Sequence, residues 1–257
     1  MTKLDITGND DIAILKAQLR RYDFVLAEDL TSAETTINAS IPTFSGWFPN
    51  SSSDSATPAY ASATSLQIYS DPTLYYQVGD KIRLQQDSGA YSYFYVTAAS
   101  SATSILTLTG GNDYSVASSP IIDFKVSRAD SPFGFPSAFN YSPTITGFSV
   151  TPSGGTYRFY VKGRICTMMV YMPTPGTSNA VTFTVSLPIV ASSSLGFQLQ
   201  GTSVWGAIDN GAAPTNPARA HVNASATVAT LDKDFNSAGG WTNVSGKSAS
   251  FILSYEI

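Results

Sequence analysis

TYRFYVKGRICTMMVYMPTPGTSNAVTFTVSLPI, residues 156–189, decides the fold class. Tyr157, Phe159, Val161 and Ile165 alternate with Arg158, Tyr160, Lys162 and Arg164. After the turn sequence PTPGTSN, Val181, Phe183, Val185 and Leu187 alternate with Thr182, Thr184 and Ser186. A period of two sends one set of side chains into a core and the other towards water, so both runs are expected to be strands. The polar face of the second run is made of hydroxyls and carries neither charge nor a catalytic group, which marks it as scaffold. The 156–172 run also changes character. Its second face begins polar, at Arg158, Lys162 and Arg164, and turns apolar at Cys166, Met168, Val170 and Met172. Two explanations stand: the strand enters a two-sided core, or Met168, Val170 and Met172 meet a second subunit.

Outward from this segment the same grammar continues. Downstream, strands are expected at 195–200 and 226–231. In the last run, SASFILSYEI, Phe251, Leu253, Tyr255 and Ile257 share one face. Residues 147–257 therefore read as a jelly-roll-like β-sandwich. Upstream, 23–130 shows short strands at 24–26, 37–41, 66–69, around Ile82 and Leu84, and in AYSYFYVTAA and SILTLTGG. Their hairpin-like spacing suits a small β-barrel-like domain. Between the two, SPFGFPSAFNYSPTIT (131–146) carries Pro132, Pro136 and Pro143, which forbid a long helix or central strand. It is also too aromatic for a free linker, and is expected to be an extended, packed connector. The fold class is all-β.

The exception is the N-terminal 1–22 segment. Asn9 caps an expected helix over 10–22, with Asp10 and Asp11 at its positive end and Arg20 and Arg21 at its negative end. Ile12, Leu15, Leu19 and Tyr22 are spaced 3, 4 and 3 apart. That seam either packs on its own domain or forms part of a short multi-helix plug on a symmetry axis, where the N-terminal region would also contact other proteins.

Composition excludes several function classes. The chain has 257 residues, a net charge of −4 and 12% charged residues, about half the usual ~25%. It has no cluster of lysine and arginine, so nucleic acid is not an expected partner. There is no stretch of about 18 apolar residues for a membrane span, and no apolar run near Met1 of the signal-peptide kind. A surface rich in hydroxyls and amides, made without an export signal, suits a virion protein assembled in a bacterial cytoplasm.

Chemistry is sparse. One cysteine and one histidine leave no His/Cys metal site and no supported triad. Cys166 is expected to be a buried, inert thiol, and His221 a surface residue. Asp232 and Asp234 are the best acid pair for a glycan hydrolase, but LDKDFN looks like a solvated turn. No enzyme activity, cofactor or metal is expected. Sugar sites use exposed aromatics with amides beside them. Trp205 and Trp241, flanked by glycines, with Asn210 and Asn243 nearby, are the glycan or receptor candidates. The competing possibility is that each indole caps the core from a loop. Trp47 is expected to pack against Phe44 and Phe48.

The segment TYRFYVKGRICTMMVYMPTPGTSNAVTFTVSLPIVA resembles a stretch near the C-terminus of tailed-bacteriophage structural proteins. YYQVGDKIRLQQDSGAYSYFYVTAASSATSILTLTGG and SPFGFPSAFNYSPTITGFS resemble the same group. Together these runs cover about a third of the chain. The resemblance implies a virion protein, a homotrimeric tail-tip, fibre or appendage component that attaches to the host surface. A capsid decoration, head fibre or adaptor without receptor binding is the alternative. The resemblance assigns no catalytic residues.

Overall fold

The computed structural model describes residues 45–49, 57–87, 89–194, 200–235 and 240–257. The chain divides into two compact units, Met1–Ser45 and Gly46–Ile257. The expected helix over 10–22, with Ile12, Leu15, Leu19 and Tyr22, the strands expected at 24–26 and 37–41, and 195–199 of the strand expected at 195–200 lie outside the described residues. Gly46–Ile257 is all-β, and both sheets described below belong to it.

The first sheet holds β1 (Phe48–Pro49), β2 (Ala59–Ser62), β3 (Ser65–Gln67), β4 (Lys81–Gln86), β5 (Tyr91–Ser100), β6 (Ile105–Thr109) and β7 (Ile121–Ser127). Its order is β1-β7-β4-β5-β6-β3-β2. Alternation places Ile82, Leu84, Phe94, Val96, Leu106 and Leu108 on one face, and the sheet curls around them as a core of its own. Trp47 is buried and Phe48 is half exposed, while Phe44 lies outside the described residues. Its ring packs near Tyr93 and Phe135, and its Nε1 donates to the Phe133 carbonyl.

The second, 11-stranded sheet begins with β8 (Phe139–Asn140), β9 (Ile145–Thr146), β10 (Phe148–Val150), β11 (Thr156–Lys162) and β12 (Ile165–Tyr171). It continues through β13 (Gly176–Ser178), β14 (Thr184–Ser186), β15 (Gln200–Asp209), β16 (Ala218–His221), β17 (Val228–Asp232) and β18 (Gly246–Glu256). Its main path is β8-β11-β12-β18-β15-β16-β17-β14-β9. The sheet curls so that Phe159, Met168, Phe251 and Tyr255 share a core with Phe183, Val185, Ala220 and Leu231.

The change of face within 156–172 has a simple cause. The run is not one strand but a hairpin, with Lys162 paired to Ile165 across Gly163 and Arg164. Gly163 has φ +58°, which suits the first central position of a type II′ turn. A two-residue loop reverses the parity, so Val161 lies opposite Cys166 and Phe159 opposite Met168. Met168, Val170 and Met172 are therefore core residues of their own chain, not a subunit interface. By the same reversal Ile165 is exposed.

The 131–146 segment is a packed connector in its second half. Phe139 is fully buried, with ring centroids 5.2 Å from Tyr95 and 5.8 Å from Phe159. Phe133 is the exception and stands exposed. Strand β5 is buried on both faces, since Phe94 and Val96 enter the first core and Tyr95 the second. Two positive-φ glycines bring the backbones together here. A Cβ on Gly79 would lie 2.0 Å from the Gly163 carbonyl oxygen, and one on Gly111 2.1 Å from that of Asn140.

Lys247 on β18 is 0% exposed and donates to the carbonyls of Ala180 (2.9 Å) and Thr182 (3.1 Å). Its ammonium also faces the Phe148 ring, 4.8 Å from the centroid. Burial pushes its pKa down from the ordinary 10.5 to about 8, with Asp209 opposing. The unfolded chain thus holds a proton between these values that the folded chain has released. Stability from this group rises with pH across that window. Cys166 and Tyr95 act oppositely: burial pushes both up to about 12, so their contribution falls as pH climbs past their ordinary values. The stability gap between wild type and Lys247→Met should therefore move in favour of wild type between pH 7 and about 9.5. Urea melts across that range measure it, and a pH-independent gap would remove the assignment.

Candidate functional site

Of the two candidate tryptophans, Trp205 is the one that the fold presents. It lies on β15 with Ser250 of β18 as its Cα partner, and the register shifts between Trp205 and Ile208. Gly206, at φ +68°, stands in that irregularity. Bulges of this kind turn a side chain away from the regular pleat, and the Trp205 residue is 56% exposed. On β18 the positions of opposite parity to the buried Phe251, Leu253 and Tyr255 include Ser250, itself buried, and the exposed Ile252, and these share the Trp205 face. Ile252 is paired with Met169 of β12, and Met169 with Arg158 of β11. Tyr171, also exposed, follows two residues along β12 on the same face. The result is a platform of Trp205, Ile252, Met169 and Tyr171, with Arg158 beside Met169. The sequence offered Tyr171 and Ile252 only as strand residues. Their common face with Trp205 depends on the pairing of β12, β18 and β15.

Trp241 is not part of it. Its indole is 2% exposed and packs edge-on to Phe183 at 5.3 Å. Its Nε1 donates to the Leu231 carbonyl at 2.8 Å. It caps the core, and this corrects its candidacy for stacking on a glycan. Asn210 is a turn residue: Asn210 and Gly211 have φ of 54° and 78°, and Asp209 and Ala212 exchange backbone hydrogen bonds. An Asn-Gly pair with both φ positive is the type I′ hairpin turn. It stands five residues beyond Trp205, roughly 17 Å along an extended strand. Asn243 is exposed in the bend before β18. The fold thus leaves Trp205 on the sheet face and puts the two asparagines in turns.

The carboxylates are occupied structurally. Asp209 is buried beneath the Asn-Gly turn, where Oδ1 accepts from the Thr242 amide and Oδ2 from the Thr242 hydroxyl. Lys233 Nζ stands 2.7 Å from the same Oδ2. Burial opposes ionisation of Asp209, but the hydrogen bonds from Lys233 and Thr242 outweigh it and hold the carboxyl below its ordinary range. Asp232 lies on β17 rather than in a turn, and accepts from Arg219 Nε at 2.6 Å. Asp234 accepts from Asn216 Nδ2 at 2.7 Å. The two acids that spacing offered as a pair thus serve different partners.

His221 is not a stray surface residue. It is partly buried on β16 and its Nδ1 lies 3.1 Å from Asp232 Oδ2. Among the described residues, that buried nitrogen has no hydrogen-bond partner. Cys166 sits in the core, and burial pushes its thiol up to about 12. Native protein should leave Cys166 unreactive towards a thiol reagent at neutral pH, while unfolded protein titrates one thiol; rapid native labelling would contradict the burial.

Among the described residues there is no group of three or more His, Cys, Asp or Glu placed to hold a metal ion. Nor is any helix among them long and apolar enough to cross a membrane. No family model, curated protein or solved structure matches this chain.

Proposed function

We propose that this chain is a non-enzymatic structural protein of a tailed-bacteriophage particle, an appendage component that attaches to host-surface glycan. The observation that carries the attachment reading is Trp205, held out of its sheet beside the bulge and 56% exposed. Large exposed aromatics give sugars a stacking face at low conformational cost. The surrounding scaffold is a rigid sheet, which holds such a face in place. The resemblance of 156–191, 75–111 and 131–149 to phage structural proteins supplies the virion context. Self-association as a trimer belongs to this reading through Ile12, Leu15, Leu19 and Tyr22. Light scattering on the purified chain, against three times its 27.2 kDa, tests that part.

The second reading is a purely architectural capsid decoration, head fibre or adaptor. The observation that favours it is the apolar character of the platform, where Tyr171 and Ile252 are exposed with Trp205. Such a face suits another virion protein as well as it suits a sugar.

The experiment is adsorption of labelled protein to a panel of bacteria and purified surface polysaccharides, with Trp205→Ala alongside. Truncating an exposed residue should change stability by no more than about 0.5 kcal/mol. Attachment through this platform therefore means lost adsorption at an unchanged melting temperature. Adsorption that survives Trp205→Ala removes the platform from the reading. Failure of wild type to adsorb, with particle assembly impaired by platform variants, favours the architectural role.

A further inference from the structure

The face that carries Trp205 does not end at Met169. Arg158, Tyr160 and Lys162 of β11 share one parity and are exposed. Arg158 is paired with Met169, and Tyr160 with Thr167. Met169 and Thr167 are paired in turn with Ile252 and Ser254 of β18, and Ser250 of that strand with Trp205. Side chains of one parity lie on one face of a sheet. One outward face therefore runs from Trp205 across β18 and β12 to Tyr160 and Lys162. By strand spacing and rise per residue, Trp205 and Tyr160 stand roughly 20 Å apart along the sheet surface. Hydroxyls lie on the way, with Thr167 Oγ1 and Ser254 Oγ 2.8 Å from each other.

At the Tyr160 end the face opens into a cleft of about 270 Å³, between β11 and the segment that follows β7. Tyr160 and Lys162 line it from β11, and Asp130, Ser131, Phe135 and Ser137 from the segment. Its size is just under the ~300–1,000 Å³ of typical ligand sites, which suits a single sugar ring. Lys162 Nζ lies 2.9 Å from Asp130 Oδ2, and both side chains stand mostly in solvent. An ionised carboxylate accepts at about four lone-pair sites and an ammonium carries three donors, so one contact leaves most of this capacity to a ligand. The paired charges cancel, which favours neither an anion nor a cation. Together they accept from one hydroxyl and donate to its neighbour. An aromatic ring, serine hydroxyls and such a pair are the complement of a neutral sugar.

We infer that this face binds a neutral oligosaccharide of several sugars. One ring sits in the cleft against Tyr160, with its hydroxyls on Asp130 and Lys162, and a later ring stacks on Trp205. This deepens the glycan-attachment reading and rests on it, naming the ligand class and a second subsite. A single sugar cannot touch both ends of the face, so only a chain engages them together. Linked contacts of this kind raise affinity through effective concentration.

The test is calorimetric titration of the full chain with glucose, mannose and galactose and with their linear trisaccharides and hexasaccharides. In at least one series the hexasaccharide should bind about tenfold or more tightly than the monosaccharide, the gain from engaging the second end. Added salt should leave that affinity nearly unchanged, because the charges in the cleft are paired. Trp205→Ala should return the hexasaccharide to the affinity of the monosaccharide, whose own binding stays as in wild type. Tyr160→Ala and Asp130→Asn should weaken both ligands, an effect that a structural role for Trp205 alone would not produce. Asp130 is exposed, so Asp130→Asn keeps the test decisive if Tyr160→Ala fails to fold. Affinity that ignores chain length, a steep loss with salt, unchanged binding in the cleft variants, or binding of no series overturns the inference. The adsorption experiment separates the two readings. Adsorption that needs Trp205 but neither Tyr160 nor Asp130 overturns the inference alone, whereas length-dependent hexasaccharide binding without adsorption supports it and removes attachment.

Discussion

Gly79→Ala should destabilise the protein by more than about 4 kcal/mol, in the range reserved for steric failure of a core. Two effects combine. Gly79 has φ +93°, where an L side chain is strained, and its added Cβ would lie 2.0 Å from the Gly163 carbonyl oxygen. That oxygen belongs to backbone in the β11–β12 turn, so it cannot swing aside as a side chain would. Gly79 also donates its amide to Val96 at 2.9 Å, which holds it beside β5. Relief would require the turn before β4 to part from the β11–β12 hairpin. Gly111→Ala should behave similarly, since its Cβ would lie 2.1 Å from the Asn140 carbonyl oxygen. The control is Gly211→Ala, at φ +78° with nothing within 4 Å of the new Cβ. It meets only the backbone penalty of a left-handed residue, about 1–2 kcal/mol. Urea midpoints of the three variants decide the matter. If Gly79→Ala falls within experimental error of Gly211→Ala, the close backbone approach has no energetic weight.

The second large effect is expected at Trp241. Trp241→Ala should cost about 3–5 kcal/mol, the range for large aromatic truncations in a core. The indole is buried against Phe183, and its loss would also leave the Leu231 carbonyl without the Nε1 donor. An orphaned buried acceptor adds to the cost of the cavity. Trp205→Ala offers the opposite pair of outcomes, near-neutral in stability and affecting only what the sheet face binds. Thermal melts of both variants under one condition test the contrast. If Trp241→Ala melts with the wild type, the packing at that end of the core is not what its burial implies.

The contrast between these two tryptophans shows how far local sequence reaches. Both are flanked by glycine, and composition offers the same two possibilities for each. Gly206 accompanies the register shift that leaves Trp205 outside. At Trp241 the backbone instead bonds to Val181, its amide donating at 3.0 Å, and the ring falls inward. Nothing within a few residues of either position states which partner strand will be present. The same holds for the two buried lysines. Lys247 finds carbonyls at Ala180 and Thr182, more than sixty residues away in sequence, whereas Lys81 has the rings of Tyr95 and Phe135 beside its ammonium. His221 and Asp232 likewise meet because β16 and β17 are paired.

The alternating runs by themselves determined that the chain is all-β, because a period of two is a property of the strand and needs no partner to be visible. They also determined the inward face of the second half of the final strand, where Phe251, Leu253, Tyr255 and Ile257 follow one uninterrupted parity, but not the burial of Ser248 and Ser250 on the other face of its first half. The aromatic content of 131–146 was enough to make it a packed segment. Tertiary structure decided where parity reverses, because Gly163 and Arg164 form a turn only once β11 and β12 pair. It decided that Met168, Val170 and Met172 face inward, and that Trp241 is core and Trp205 surface. Each of these depends on which distant strand lies alongside, and strand pairing is a non-local event that no window of sequence contains.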